Sequence, residues 1–116
     1  MRHRVKGKIL DRKKAPRELM LKNLASSIII YEKIKTTEAK AKAVKPLVEK
    51  IITIAIKGGL NGRRELIRLL PQPMAIKKAI DVLAAKYKAR RGGCLRITKL
   101  SQRQGDNAKI VQIELV

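Results

Sequence analysis

The side chains that could do bond-making chemistry are few in this sequence, and their spacing argues against catalysis. His3 is the only histidine and Cys94 the only cysteine. One of each cannot supply the ligands of a tetrahedral metal site. His3 also stands among basic residues, where a phosphate or base contact suits it better than general-base work. The nine acids are scattered, and Glu38 and Glu49 read as helix-surface charges rather than an acid–base pair. Gly58-Gly59 and Gly92-Gly93 lack the spacing, and the following Lys-Ser/Thr, of a phosphate-cradling loop. Cys94 reads as a small apolar strand residue, and a lone cysteine fits a reducing compartment. The expectation is therefore no enzyme, no metal, no cofactor and no small-molecule substrate.

The chemistry the chain does carry is positive charge. It has 29 Lys+Arg against 9 Asp+Glu, a formal +20 on 116 residues. A small soluble domain ordinarily carries a net charge of about 2–8. An excess of this size opposes compaction and points to a polyanionic partner, nucleic acid before an anionic membrane. Two stretches concentrate it. Residues 1–14 hold Arg2, Arg4, Lys6, Lys8, Arg12, Lys13 and Lys14 against Asp11 alone. Residues 86–104 hold Lys86, Lys88, Arg90, Arg91, Arg96, Lys99 and Arg103 with no acid. Arginine suits such a surface because its planar fork can hold two phosphate oxygens. Arg63-Arg64 is a weaker candidate, and Lys40, Lys42 and Lys45 weaker again. With only Tyr31 and Tyr87 as aromatics, base stacking has little to work with. Backbone and shape recognition of a folded RNA is favoured.

These charges need a scaffold, and the 45% apolar content can bury an aliphatic core. Residues 1–15 read as an extended basic arm, unfolded until bound, and 16–116 as one domain. Pro16 and Glu18 suit a first helical turn, with Ala15 a poor cap, and Leu21, Leu24, Ala25 and Ile28 predict a helix over 16–31. Lys33–Thr36 alternates as a short strand. Thr37-Glu38 opens a second helix to about Lys57, which Pro46 should kink or divide. Leu47, Ile51, Ile54 and Ala55 are its expected buried stripe. Asn61 can cap a short helix through Leu70, ended by Pro71-Gln72-Pro73, and residues 74–86 return to helical period through Ile76, Ile80 and Leu83. Leu95 and Ile97, then Val111, Ile113 and Leu115, predict a C-terminal β-hairpin around Gly105-Asp106. The class is α+β: about four helices packed on a small sheet with a C-terminal β-hairpin, plus the arm.

Taken end to end, the sequence resembles the bacterial-type ribosomal protein family numbered seventeen of the large subunit. The resemblance rests on Met1-Arg2-His3-Arg4, on TTEAKAKAVKPLVEKIITIAIKG (Thr36–Gly58), and on Arg63-Arg64. It continues through Arg91-Gly92-Gly93, Arg96-Ile97, Lys99 and Arg103, then Gly105-Asp106, Ala108 and Ile113-Glu114-Leu115. It implies a structural constituent of the large subunit, in cytoplasmic or organellar ribosomes, bound to large-subunit rRNA near the outer opening of the peptide exit tunnel. Neighbouring ribosomal proteins are implied partners. Arg2, His3, Arg4, Lys6 and Lys8 become expected rRNA contacts, with Arg90, Arg91, Arg96, Lys99 and Arg103 as a second basic surface. Cys94 stands where the family usually has an aromatic, and Ala15 where a Ser cap is more typical. No domain is expected after the terminal strand.

A DNA-binding or architectural protein is the alternative, with residues 61–86 mistaken for a helix-turn-helix. The Pro-Gln-Pro turn and apolar last helix make a poor recognition unit. A membrane-surface role needs basic and apolar faces on one helix, whereas the densest charge here lies outside the helices.

Overall fold

In the computed structural model, the described residues are Leu10, 13–90 and 93–116. Helix α1 (Lys14–Tyr31) is followed by β1 (Lys33–Thr37), α2 (Glu38–Lys57) and α3 (Gly59–Leu69). A last helical rod consists of α4 (Pro73–Lys78), a π-helical segment (Ala79–Leu83) and α5 (Ala84–Tyr87). Strands β2 (Leu95–Gln102) and β3 (Lys109–Leu115) complete the chain. The expected α+β class, the four helical rods and the C-terminal hairpin are all present. The sheet is antiparallel with order β1-β3-β2, so the C-terminal strand is the central one.

Local chemistry accounts for the element ends, with three corrections. Helix α1 begins at Lys14 rather than Pro16; Lys13 is its cap and makes no side-chain capping bond. Its first turn is held instead by the Lys13 carbonyl, which accepts from Arg17 N at 3.0 Å. Helix α3 begins at Gly59, so Asn61 lies inside its first turn and does not cap it. The cap position is Gly58, whose φ of 64° is one that glycine adopts readily. Third, Pro46 does not divide α2. Pro46 is exposed, so the Lys42 carbonyl that loses its helical donor lies on a side water can reach. The α2 start is as expected, with the Thr37 hydroxyl accepting from Lys40 N at 3.5 Å.

The core is aliphatic and continuous. Helix α2 runs through its centre and buries Ala41, Val44, Val48, Ile51, Ile52, Ile54 and Ala55, while Leu47 is only half-buried. One face of the sheet, carrying Val111, Ile113 and Leu115, packs against α1 and α2. Helix α3 adds Leu66, and the rod adds Ala75, Ala79, Leu83 and Tyr87. Those four rod positions recur at intervals of four, wider than the 3.6-residue turn of an α-helix. The i→i+5 winding at Ala79–Leu83 takes up the surplus and keeps all four on the core. Ile80, expected in the stripe, is half-buried.

Two polar ties close the ends. The Tyr87 hydroxyl donates to the main-chain oxygen of Val116 at 2.6 Å, and Val116 N donates to the Cys94 carbonyl at 2.8 Å. At the C-terminus of α1, Lys78 Nζ donates to the Ile30 carbonyl at 2.9 Å and lies 3.3 Å from the Glu32 carboxylate. A cation here opposes the negative end of the helix dipole. Replacing Lys78 by Met, which keeps the stem and removes the ammonium, is expected to lower stability by about 1–2 kcal/mol. The midpoint of urea unfolding measures it.

Candidate nucleic-acid interface

The described cations are mostly unpaired. Ion pairs among the described residues engage only Lys42, Lys78, Arg96 and Arg103. From the arm, Arg2, His3, Arg4, Lys6, Lys8 and Arg12 lie outside the described residues, while Lys13 and Lys14 sit on the opening turn of α1. That turn contains no acid, and Arg17 follows within it. Cations at a helix N-terminus work against its dipole, whereas an anion there would be held by both.

The Arg63-Arg64 pair is split by the helix. Arg64 shares a shallow surface hollow with Asn61, Glu65 and Arg68. Arg63 turns to the other side of α3, into a cleft of about 620 Å³ between α3 and the rod. Ile67, Leu70, Pro71, Pro73, Ile76, Lys77, Ile80 and Asp81 also line this cleft. Ile67 is well exposed, and the cleft is largely apolar, with Arg63, Lys77 and Asp81 as its charged lining. The rod buries its apolar stripe and shows solvent Met74, Lys77, Asp81, Val82 and Lys86.

The acid-free stretch 86–104 is no longer acid-free once folded. Strand register sets Arg96 opposite Glu114, 3.6 Å from its carboxylate. Arg103 makes two bonds to Asp106, at 3.1 and 2.6 Å, and clips the hairpin loop. The Asp106 carboxylate also accepts from Ala108 N, and together these hold its pKa down to about 2. The Arg103 guanidinium is pushed higher by the same contact. A carboxylate with a lowered folded pKa stabilises the turn above its ordinary value near 3.8, and the benefit disappears as pH falls through about 2. Titration of the Asp106 carboxyl by carbon NMR should show this low midpoint, and Arg103→Ala should return it toward 3.8.

Lys99 and Lys109 lie near Glu38 at the start of α2, where Lys42 bonds the same carboxylate at 2.7 Å. Lys42 and these two cations hold Glu38 below its ordinary range. Arg90 is exposed beside Gly93, whose φ of 63° favours glycine. Arg91 and Gly92 lie outside the described residues. Cys94 is buried, and burial pushes its thiol up, as befits a packing residue. Among the described residues no group of His, Cys, Asp and Glu is arranged to hold a metal, and no helix is long and apolar enough to cross a membrane.

Sequence reasoning missed two cations. Lys33 and Lys35 alternate with Ile34 and Thr36 on β1, and register sets them opposite Glu114 and Gln112. They therefore share the outer face of the sheet with Arg96 and Thr98. The alternation was visible, but only the strand order reveals that β1 and β2 flank the same central strand.

The family model for ribosomal protein L17 matches residues 20–116. A large ribosomal subunit protein bL17 from Hydrogenobaculum sp. (strain Y04AAS1) is 45% identical over 117 residues, covering 100% of this chain and 99% of the relative. Those from Solibacter usitatus (strain Ellin6076) and Allorhizobium ampelinum are 47% and 42% identical over 116 residues, covering all of this chain and 77% and 82% of the relatives. A family match across most of the chain, with relatives above 40% identity over all of this chain, makes it a member of the ribosomal protein L17 family.

Proposed function

We propose that this structural protein of the large ribosomal subunit works by gripping large-subunit rRNA backbone near the outer opening of the peptide exit tunnel. The observation that supports this best is the excess of unpaired cations on a body without a catalytic or metal-binding cluster among its described residues. The arm (Arg2, His3, Arg4, Lys6, Lys8, Arg12) with Lys13 and Lys14 forms one contact. Its charge repels itself in the free chain and is neutralised between phosphates. Arg90 and Arg91, Arg96 on the open sheet face, Lys99 on the opposite face near Glu38, and Arg64 on α3 offer further contacts at separate places. Arg103 has a structural duty to Asp106 and contributes mainly by shaping the hairpin loop. Residues 1–13 act as the arm and 14–116 as the body that aims it.

Arg63 has a different assignment. The largely apolar cleft it shares with Ile67, Lys77 and Asp81 suits an apolar segment of a neighbouring ribosomal protein, because RNA offers little aliphatic surface to bury. The overall reading is tested by sedimenting native large subunits through rising salt. The protein should travel with the subunit and leave only at high salt; release at low salt together with other loosely bound proteins would contradict it.

A further inference from the structure

We propose that the open face of the sheet is itself an RNA site, with Lys33, Lys35 and Arg96 on phosphates and Thr98 and Gln112 reaching ribose hydroxyls. This rests on the rRNA-binding reading above and adds a surface distinct from the arm. Strand order makes the case. The cations lie on the outer strands β1 and β2, and the central strand β3 places neutral Gln112 between Lys35 and Thr98. Lys33 and Lys35 are two residues apart on one side of β1, about 6.6 Å at the usual rise. That distance is close to the step between successive phosphates of an RNA strand, so β1 can follow one backbone over two phosphates.

Arg96 lies two strand spacings away, about 10 Å across the sheet, and meets a second backbone segment. Glu114 stands between Lys33 and Arg96 in register. Its carboxylate, 3.6 Å from Arg96 Nη1, repels phosphate from the midline and leaves the Arg96 fork without a hydrogen bond to it. The outward residues Lys33, Lys35, Arg96, Thr98, Gln112 and Glu114 include no ring, so bases cannot stack on this platform. What remains is a flat surface with cationic edges and a hydrogen-bonding centre. The wide, shallow minor groove of an RNA helix, which displays 2′-hydroxyls between two backbones, fits that pattern.

The test is salt-dependent binding of the full chain to large-subunit rRNA transcript, comparing wild type with Lys33→Gln/Lys35→Gln. Both substitutions are at exposed positions, and far-UV circular dichroism checks the fold. Loss of two phosphate contacts should reduce the slope of log K against log salt by about 1.4–1.8 and weaken binding about 25–60-fold at 0.1 M salt. The control is Lys50→Gln/Lys57→Gln, which removes the same charge from exposed α2 positions. A sheet variant with the wild-type slope, or a control that loses as much as the sheet variant, overturns the proposal. If wild type itself lacks salt-dependent rRNA binding, the broader rRNA reading fails first, and the two failures are thus separable.

Discussion

A protein lacking residues 2–12 is expected to fold normally and to lose rRNA affinity by on the order of 10²–10⁴-fold at 0.1 M salt. The deletion removes Arg2, Arg4, Lys6, Lys8 and Arg12 along with Asp11. Each phosphate contact contributes about 0.7–0.9 to the salt slope, so three to five lost contacts give this range. The cut is placed before Lys13 because the Lys13 carbonyl closes the first turn of α1. Filter binding measures the affinity, and urea unfolding checks the body. A truncated protein that binds as tightly as the full chain would move the principal grip from the arm to the body.

The second large effect concerns stability. Ile113→Ala is expected to destabilise the fold by about 2–5 kcal/mol. Ile113 is fully buried on the central strand, in register with Ile34 on one side and Ile97 on the other. Truncation leaves a cavity beneath α1 and α2 that these β-branched neighbours cannot easily fill. Domains of this size are stable by only about 5–15 kcal/mol, so a sizeable fraction of the folding free energy is at stake. Urea denaturation should show a lower midpoint with an unchanged slope. A midpoint within error of wild type would mean that the sheet is not held by this layer.

Much of this molecule was legible in the residues, for reasons that can be named. The alternation at Val111, Ile113 and Leu115 identified the terminal strand because one face is buried and the other wet. Thr37-Glu38 identified the α2 start because the cap is local chemistry. Pro46 leaves α2 undivided because it lies on the exposed side, where water can reach the carbonyl that loses its helical donor. Asn61 misled because Gly58 and Gly59, with φ of 64° and 77°, turn the chain into α3 earlier. The π-helical winding at Ala79–Leu83 answers a tertiary demand, four core positions spaced by four, that Ile76, Ile80 and Leu83 did not announce.

The candidate interface was harder to read than the fold. A stretch without acids looked wholly available, yet Glu114 and Asp106 reach Arg96 and Arg103 across a strand pair and a turn. Conversely, Lys33 and Lys35 looked like ordinary strand polarity until β1 proved to flank the C-terminal strand. Adjacent arginines also parted, because neighbours on a helix do not share a face: Arg64 joins Arg68, whereas Arg63 enters the apolar cleft. Charge was a property of the sequence; its availability is a property of the fold.

The central claim, a grip on RNA backbone made by unpaired cations, is tested most directly by the salt dependence of wild-type binding to large-subunit rRNA. Engagement of about 6–10 phosphates predicts a fall in affinity of about 10³–10⁵ between 50 and 200 mM salt. A fall of less than about tenfold would contradict it, because so weak a dependence corresponds to only about two phosphate contacts.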